Sequence, residues 1–187
     1  MTEYVIVYAH TVEHDYIPMV LKDKPVYLKG LLNLPGGKID GEESPVNAAV
    51  RELKEETGLE ELAETDGMCP IVTEQMGLIR FRDCIIYCVR VPISYRQELK
   101  PRVEETEVVA WYNIFEVLQN PKLIENLQII IPLMYFGVKG WELVDDGQYY
   151  LHLSKPLSVA EIDDTTYFRN KLFTALKLPQ GINNEHQ

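Results

Sequence analysis

The chain opens on Glu3 to Ala9, E-Y-V-I-V-Y-A, a β-branched and aromatic run that predicts a buried strand. A second strand and its turn are expected within residues 16–34, with Asp23-Lys24-Pro25 as the break. The period then changes. Val46, Ala49, Val50 and Leu53 recur at spacings of three and four, which gives one apolar face of a helix. Ser44 suits its N-cap, Pro45 its first position and Gly58 a left-handed residue just past its end, so the helix should run from Pro45 to Thr57. An acidic, loop-like stretch follows from Glu60 to Pro70. Ile71 to Leu78 and Cys84 to Val91 read as paired strands with Phe81-Arg82-Asp83 near their turn. Glu107 to Tyr112 is another strand, running into a short helix over Asn113 to Gln119. Pro121 is expected to open a further helix whose Leu123, Ile124, Leu127, Ile130 and Ile131 pack on a sheet. Beyond it, Trp141 to Val144 and Gln148 to Leu153 flank Asp145-Asp146-Gly147, a hairpin pattern. Phe168, Leu172, Phe173 and Leu176 form the stripe of a helix expected within residues 154–177, and Gln180 to Gln187 reads as a frayed end.

The chemistry concentrates on the first helix. Gly37 to Leu59 reads G-K-I-D-G-E-E-S-P-V-N-A-A-V-R-E-L-K-E-E-T-G-L. Glu52, Glu55 and Glu56 stand at i, i+3 and i+4, on one side of the cylinder. Three carboxylates that close repel one another unless a cation neutralises them. Oxygen donors of high charge density suit Mg2+ or Mn2+ rather than a softer metal. Pro35-Gly36-Gly37 lets backbone approach such an ion closely, because glycine has no Cβ to clash. R-E-L-K-E-E alone would be an ordinary solvated helix face. The joint fit of glycine pair, cap, helix and carboxylates overrides that reading.

The same run fits G-x5-E-x7-R-E-U-x-E-E-x-G-U, with U a bulky aliphatic, at every fixed position, and so resembles the Nudix hydrolases. The resemblance covers this box and, more loosely, the strand order over residues 3–136. It implies an α/β fold, the α/β/α sandwich with a mixed sheet, and a Mg2+-dependent (or Mn2+-dependent) pyrophosphohydrolase acting on a small nucleotide. By resemblance Glu55 and Glu56 are metal ligands, and Glu52 binds metal or assists the attacking water. A carbonyl of Gly36 or Gly37 would be a further ligand. Arg51, counted with the catalytic set, and Glu43 match positions that are largely architectural, the arginine orienting carboxylates through charge-assisted hydrogen bonds. An acidic residue from a later loop often completes the family's site. Glu104, Glu105 and Glu107 are the candidates here, with Glu105 the expectation.

A diphosphate substrate gives such a cluster its purpose. Phosphoanhydride oxygens and carboxylates are both negative, so divalent ions must bridge them, and the same ions polarise the phosphorus. A neighbouring carboxylate then takes a proton from water as general base. Lys38, beside the glycine pair, is a candidate for a substrate phosphate. Tyr8 and Phe81, with Tyr16 and Trp111 behind them, are candidates to stack on a base, an interaction worth roughly 1–3 kcal/mol. The competing reading puts these aromatics in the core.

Composition fits a single enzyme domain, with 46% hydrophobic and 25% charged residues over a length that sustains one full core. Residues 1–140 are read as the catalytic core and 141–187 as a C-terminal extension packed on the same domain. Core enlargement or a homodimer contact is expected of that extension ahead of a lid. No apolar run reaches the ~18–20 residues of a membrane span, and none carries a leader pattern after Met1, so a cytoplasmic location is expected. Cys69, Cys84 and Cys88 lack zinc spacing, and Cys84 and Cys88 read as small apolar strand residues. A net charge of −11 argues against a non-specific nucleic-acid surface. Arg80, Arg82, Arg90, Arg96 and Arg102 are too scattered to mark an RNA path.

The substrate is less legible. The proline found downstream of the box in many ADP-ribose hydrolases is replaced by Gln75, and the nearest proline is Pro70. The tyrosine that marks dinucleoside-polyphosphate hydrolases is absent from the same window. This leaves nucleoside triphosphates slightly ahead of ADP-ribose, nucleotide sugars and dinucleoside polyphosphates. The competing class is a catalytically silent, nucleotide-sensing module.

Overall fold

The computed structural model describes residues 1–11, 15–62, 72–94, 96–102 and 106–154. In chain order these form β1 (Thr2–His10), β2 (Tyr16–Leu21), a 3-10 turn (Val26–Leu28), β3 (Leu32–Asn33), β4 (Gly36–Lys38) and α1 (Pro45–Thr57). Then come β5 (Glu74–Arg80), β6 (Cys84–Pro92), β7 (Val108–Asn113), α2 (Ile114–Val117), α3 (Leu127–Tyr135), β8 (Trp141–Asp145) and β9 (Tyr149–Leu153). A six-stranded sheet has the order β4-β1-β6-β5-β8-β9, and a three-stranded sheet the order β3-β2-β7. The larger sheet is mixed, since β1 runs parallel to β6 and β5 parallel to β8 while the other pairs are antiparallel.

Alternation along β1 divides the core. Val5, Val7 and Ala9 point to the face covered by α1, where they meet Ala48, Ala49, Leu53, Val89 and Val91. Ile6 and Tyr8 point to the opposite face and join Ile17, Met19, Leu32, Leu127, Ile130 and Leu133. The large sheet therefore lies between α1 on one side and the small sheet with α3 on the other, the predicted α/β/α arrangement.

Helix α1 has the expected bounds. Ser44 Oγ accepts from the Asn47 N–H at 3.2 Å, Pro45 takes the first position, and Gly58 closes the helix at φ 74°. The helix expected from Pro121 does not begin there. Asn120 Oδ1 accepts from Lys122 N–H, and Leu123 lies beside Leu32 as an isolated parallel bridge. Leu32 N–H donates to Lys122 O at 2.7 Å and Ile124 N–H to Leu32 O at 3.2 Å. That pairing holds the backbone out of helical geometry until Leu127. The helix expected within 154–177 lies outside the described residues. Among the described residues no helix is long and apolar enough to cross a membrane.

The hairpin of β8 and β9 is part of the large sheet, with Gly77, Leu78, Ile79 and Arg80 of β5 opposite Trp141 to Val144. Trp141 is buried in the main core, and its Nε1–H donates to Val138 O at 3.1 Å. Its indole fills the space a Cβ at Gly77 would need, 2.2 Å away. Trp141→Ala is expected to destabilise the protein by about 3–5 kcal/mol through the cavity it leaves. Urea unfolding checks this, and a loss below about 1 kcal/mol would mean that the hairpin is peripheral.

Candidate active site

Strand β4 brings the glycine pair to the box helix. It pairs antiparallel with β1, Gly36 opposite Ile6 and Gly37 opposite Val5, and α1 packs over the same two strands. The Gly36 N–H donates to Glu56 Oε2 at 2.8 Å, so the last box carboxylate faces this backbone. A Cβ on Gly36 would lie 2.1 Å from Val5 O, and one on Gly37 would lie 2.4 Å from Glu52 Oε1. Gly36 is thus required by the strand beneath it, and the Glu52 carboxylate occupies the room that Gly37 leaves.

Arg51 organises the other carboxylates. Its Nη1–H donates to Glu52 at 2.7 Å and more weakly to Glu55 at 3.4 Å. Its Nε and Nη2 grip Glu43, and Nη2 also reaches Lys38 O at 3.1 Å. Glu55 takes a second cation, Arg102, at 2.8 Å. Repulsion among the box carboxylates is therefore relieved by two guanidinium groups. Among the described residues no three of His, Cys, Asp and Glu converge on a point where a metal ion would fit. The donors themselves, all oxygen and beside an open glycine backbone, match a hard divalent ion in type.

Among the described residues Glu56 pairs with no guanidinium or ammonium, and it is half-buried. Burial raises its carboxyl to about 7, the Gly36 N–H and Lys22 opposing this and Glu52 and Glu107 adding to it. Glu107 stands close enough to act on Glu56. Burial disfavours its own charge, but Lys22 at 2.5 Å and the N–H groups of Asp23 and Lys24 hold it below the ordinary carboxylate value.

A pH dependence follows from Glu56. With a folded-state value near 7 against an ordinary 4.5, its contribution to stability is complete below about pH 4.5 and lost as pH rises through 7. Glu43 and Glu107, both lowered, titrate beneath that window. In EDTA, the Tm is expected to be several degrees lower at about pH 8 than at about pH 5. Millimolar Mg2+ should raise it again at the higher pH, because an ion bound to the folded state stabilises it by mass action. Melting curves at the two pH values check both, and a flat profile in EDTA would contradict them.

Of the residues singled out from sequence, Arg51, Glu52, Glu55, Glu56, Gly36 and Gly37 are gathered in one place. Lys38 is exposed on β4 and meets Arg51 through its carbonyl. Tyr8 is fully buried, with its ring in the main core and its hydroxyl unpartnered among the described residues, so as placed it offers no face to a substrate. Phe81, at the β5–β6 turn, is half-buried against the same core. Glu104 and Glu105 lie outside the described residues. Trp111 is occupied by an Nε1–H bond to Gln97 O, and Tyr16 carries the Arg96 guanidinium 4.5 Å from its ring centre. Lys22 and Arg102 carry no local motif, and only tertiary contact reveals them at this site.

The Nudix domain model matches residues 11–133. The chain belongs to the Nudix family. Solved structures with the same fold include the MutT protein of Bacillus halodurans, at 18% identity and TM-score 0.56, covering 83% of this chain and 100% of that one. The NUDIX domain of Shewanella oneidensis NrtR, complexed with ADP ribose, is 24% identical with TM-score 0.53 over 69% of this chain and 83% of its own. A bifunctional NMN adenylyltransferase/ADP ribose pyrophosphatase from Francisella tularensis, complexed with AMP and Mn, is 22% identical with TM-score 0.53, covering 72% of this chain and 42% of that one. At these identities the likeness is one of fold. No curated protein matches the chain.

Proposed function

We propose that this Nudix protein is a Mg2+-dependent (or Mn2+-dependent) pyrophosphohydrolase that cleaves the diphosphate linkage of a small nucleotide. The observation that carries the reading is the complete box folded against its glycine pair, with Glu56 on the Gly36 N–H and the Glu52 carboxylate in the space that Gly37 leaves. Glu52, Glu55, Glu56 and a carbonyl of Gly36 or Gly37 are the residues that would hold the divalent ion. Bound there, the ion would supply Lewis-acid polarisation of the phosphoanhydride. Arg51 fixes the direction of Glu52, which either joins that set or takes the proton of the attacking water. Glu107 remains a candidate for the later acidic residue, although Lys22 and two backbone N–H groups already occupy its oxygens. Lys38, exposed at the end of β4, is the candidate for a substrate phosphate.

Nucleoside triphosphates are placed first among substrates. ADP-ribose, which the Shewanella domain holds, is the first competitor to include, followed by diadenosine polyphosphates. Competitive kinetics on one preparation tests the ordering through kcat/KM. Polar discrimination in a site can reach about 10⁴, whereas apolar fit gives about 10–200-fold. ADP-ribose or a dinucleoside polyphosphate exceeding every triphosphate by more than about tenfold would reverse the ordering and leave the catalytic residues as assigned.

A further inference from the structure

A cleft of about 270 Å³ opens next to the box carboxylates, lined by Arg51, Lys54, Glu55, Gly58, Lys100 and Arg102. Its far wall is the segment 100–102, which is tied to the end of α1. Lys100 N–H donates to Thr57 O at 2.7 Å and Arg102 N–H to Glu55 O at 2.9 Å. A Cβ at Gly58 would lie 2.5 Å from Lys100 O, so glycine there permits the approach as well as closing the helix. The backbone of Arg102 is thereby fixed beside Glu55, and its guanidinium is held there by that one carboxylate among the described residues. Arg102 reaches Glu55 from the solvent side, 60% exposed against 19% for the carboxylate. Arg51 differs, because Glu43, Glu52 and the Lys38 carbonyl anchor it whatever Glu55 does.

We propose that Arg102 is an exchangeable counter-ion. It neutralises Glu55 while that carboxylate carries no metal ion, and it turns into the cleft to hold a phosphoryl group of the nucleotide once the carboxylate is taken. The inference rests on the proposed role of Glu55 as a metal ligand. A divalent ion on Glu55 offsets the charge that holds Arg102 at 2.8 Å, so metal binding there loosens this exposed pair. Its planar fork then faces a cleft bordered by Arg51, Lys54 and Lys100, with room for a phosphoryl group. Guanidinium suits that second partner, since it pairs with phosphate as readily as with carboxylate. The device offsets the charge of Glu55 before metal arrives and adds a phosphate-binding cation only afterwards.

The test uses Arg102→Gln, Lys100→Gln and Glu55→Gln, with two binding measurements. Mn2+ binding to each metal-free protein is followed by electron paramagnetic resonance without nucleotide. Binding of a nucleoside triphosphate with methylene-bridged phosphates is followed by calorimetry in saturating Mn2+. Arg102→Gln is expected to bind Mn2+ about 2- to 5-fold more tightly, the factor an exposed ion pair corresponds to. The same variant should bind the analogue about tenfold more weakly or worse, for want of a charge-assisted hydrogen bond. Lys100→Gln, whose ammonium pairs with Glu98, should leave Mn2+ binding unchanged. Unchanged or weaker Mn2+ binding in Arg102→Gln would overturn the inference, as would undiminished affinity for the analogue. Equal tightening in Lys100→Gln would also overturn it, because loss of any positive charge would then explain the effect. If Glu55→Gln weakens Mn2+ binding while Arg102→Gln does not alter it, the metal-site reading stands and this inference alone falls. Wild-type Mn2+ affinity in Glu55→Gln would bring down both.

Discussion

Glu56→Gln is expected to lower turnover by at least about 10²-fold while the protein stays folded. The amide oxygen still accepts from the Gly36 N–H, so the 2.8 Å contact that ties α1 to β4 is kept. What disappears is the negative charge beside the glycine backbone, where a divalent ion needs it. Burial already disfavours that charge in the metal-free protein, so the substitution should raise the Tm in EDTA above about pH 7. Loss of activity combined with a gain of stability is the signature of a group kept for function. Glu55→Gln should cost a similar factor in turnover without that gain, because it weakens the Arg102 and Arg51 ion pairs. Steady-state rates with circular dichroism melts on both variants check this. Wild-type turnover in either, at unchanged metal content, would remove the site assignment.

The two adjacent glycines should respond differently to alanine. At Gly36, with φ 154°, the added Cβ would stand 2.1 Å from Val5 O and 2.8 Å from Ile6 Cα. Both are backbone of the strand that Gly36 pairs with, so they cannot move without breaking the β1–β4 ladder. Overpacking and a strained backbone together should cost about 3–5 kcal/mol. At Gly37 the three atoms nearest the added Cβ all belong to the Glu52 carboxylate, the flexible end of a side chain. Gly37→Ala should keep most of its stability and lose about 10- to 100-fold in kcat, because Glu52 is pushed from its place under Arg51. Denaturant unfolding and kcat on both variants separate the two. Equal stability losses would contradict this division of roles.

These contrasts show which parts of the molecule were legible in the sequence. Helix α1 could be read to the residue because its signals are local: Ser44, Pro45, the three-and-four spacing and Gly58 all lie within or beside it. The strands β1, β6 and β7 were equally plain from their β-branched and aromatic content. The start of α3 was not, because what delays it is Leu123 lying against Leu32, a contact between distant segments. The hairpin of β8 and β9 was visible as a hairpin, but its parallel seat against β5 depends on Trp141 filling the space above Gly77. Tyr8 follows from strand alternation once Ile6 is known to face the core, since residues two apart share a face. The cations of the site were hidden for the same reason as α3. Arg51 sits inside the box and could be assigned, whereas Arg102 and Lys22 reach Glu55 and Glu107 only through the fold.

The central claim is that the box carboxylates carry metal-dependent hydrolysis of a nucleotide diphosphate linkage. Its most direct test is product analysis by phosphorus NMR on a panel of nucleoside triphosphates, ADP-ribose and diadenosine polyphosphates, each with Mg2+ and with EDTA. The account predicts cleavage of at least one of them at a phosphoanhydride, giving a nucleotide product with pyrophosphate or a second phosphorylated fragment. That cleavage should stop in EDTA and fall at least about 10²-fold in Glu56→Gln. Tight nucleotide binding with no product from any member of the panel, at any Mg2+ concentration, would contradict it and make the protein a binding module on a Nudix fold.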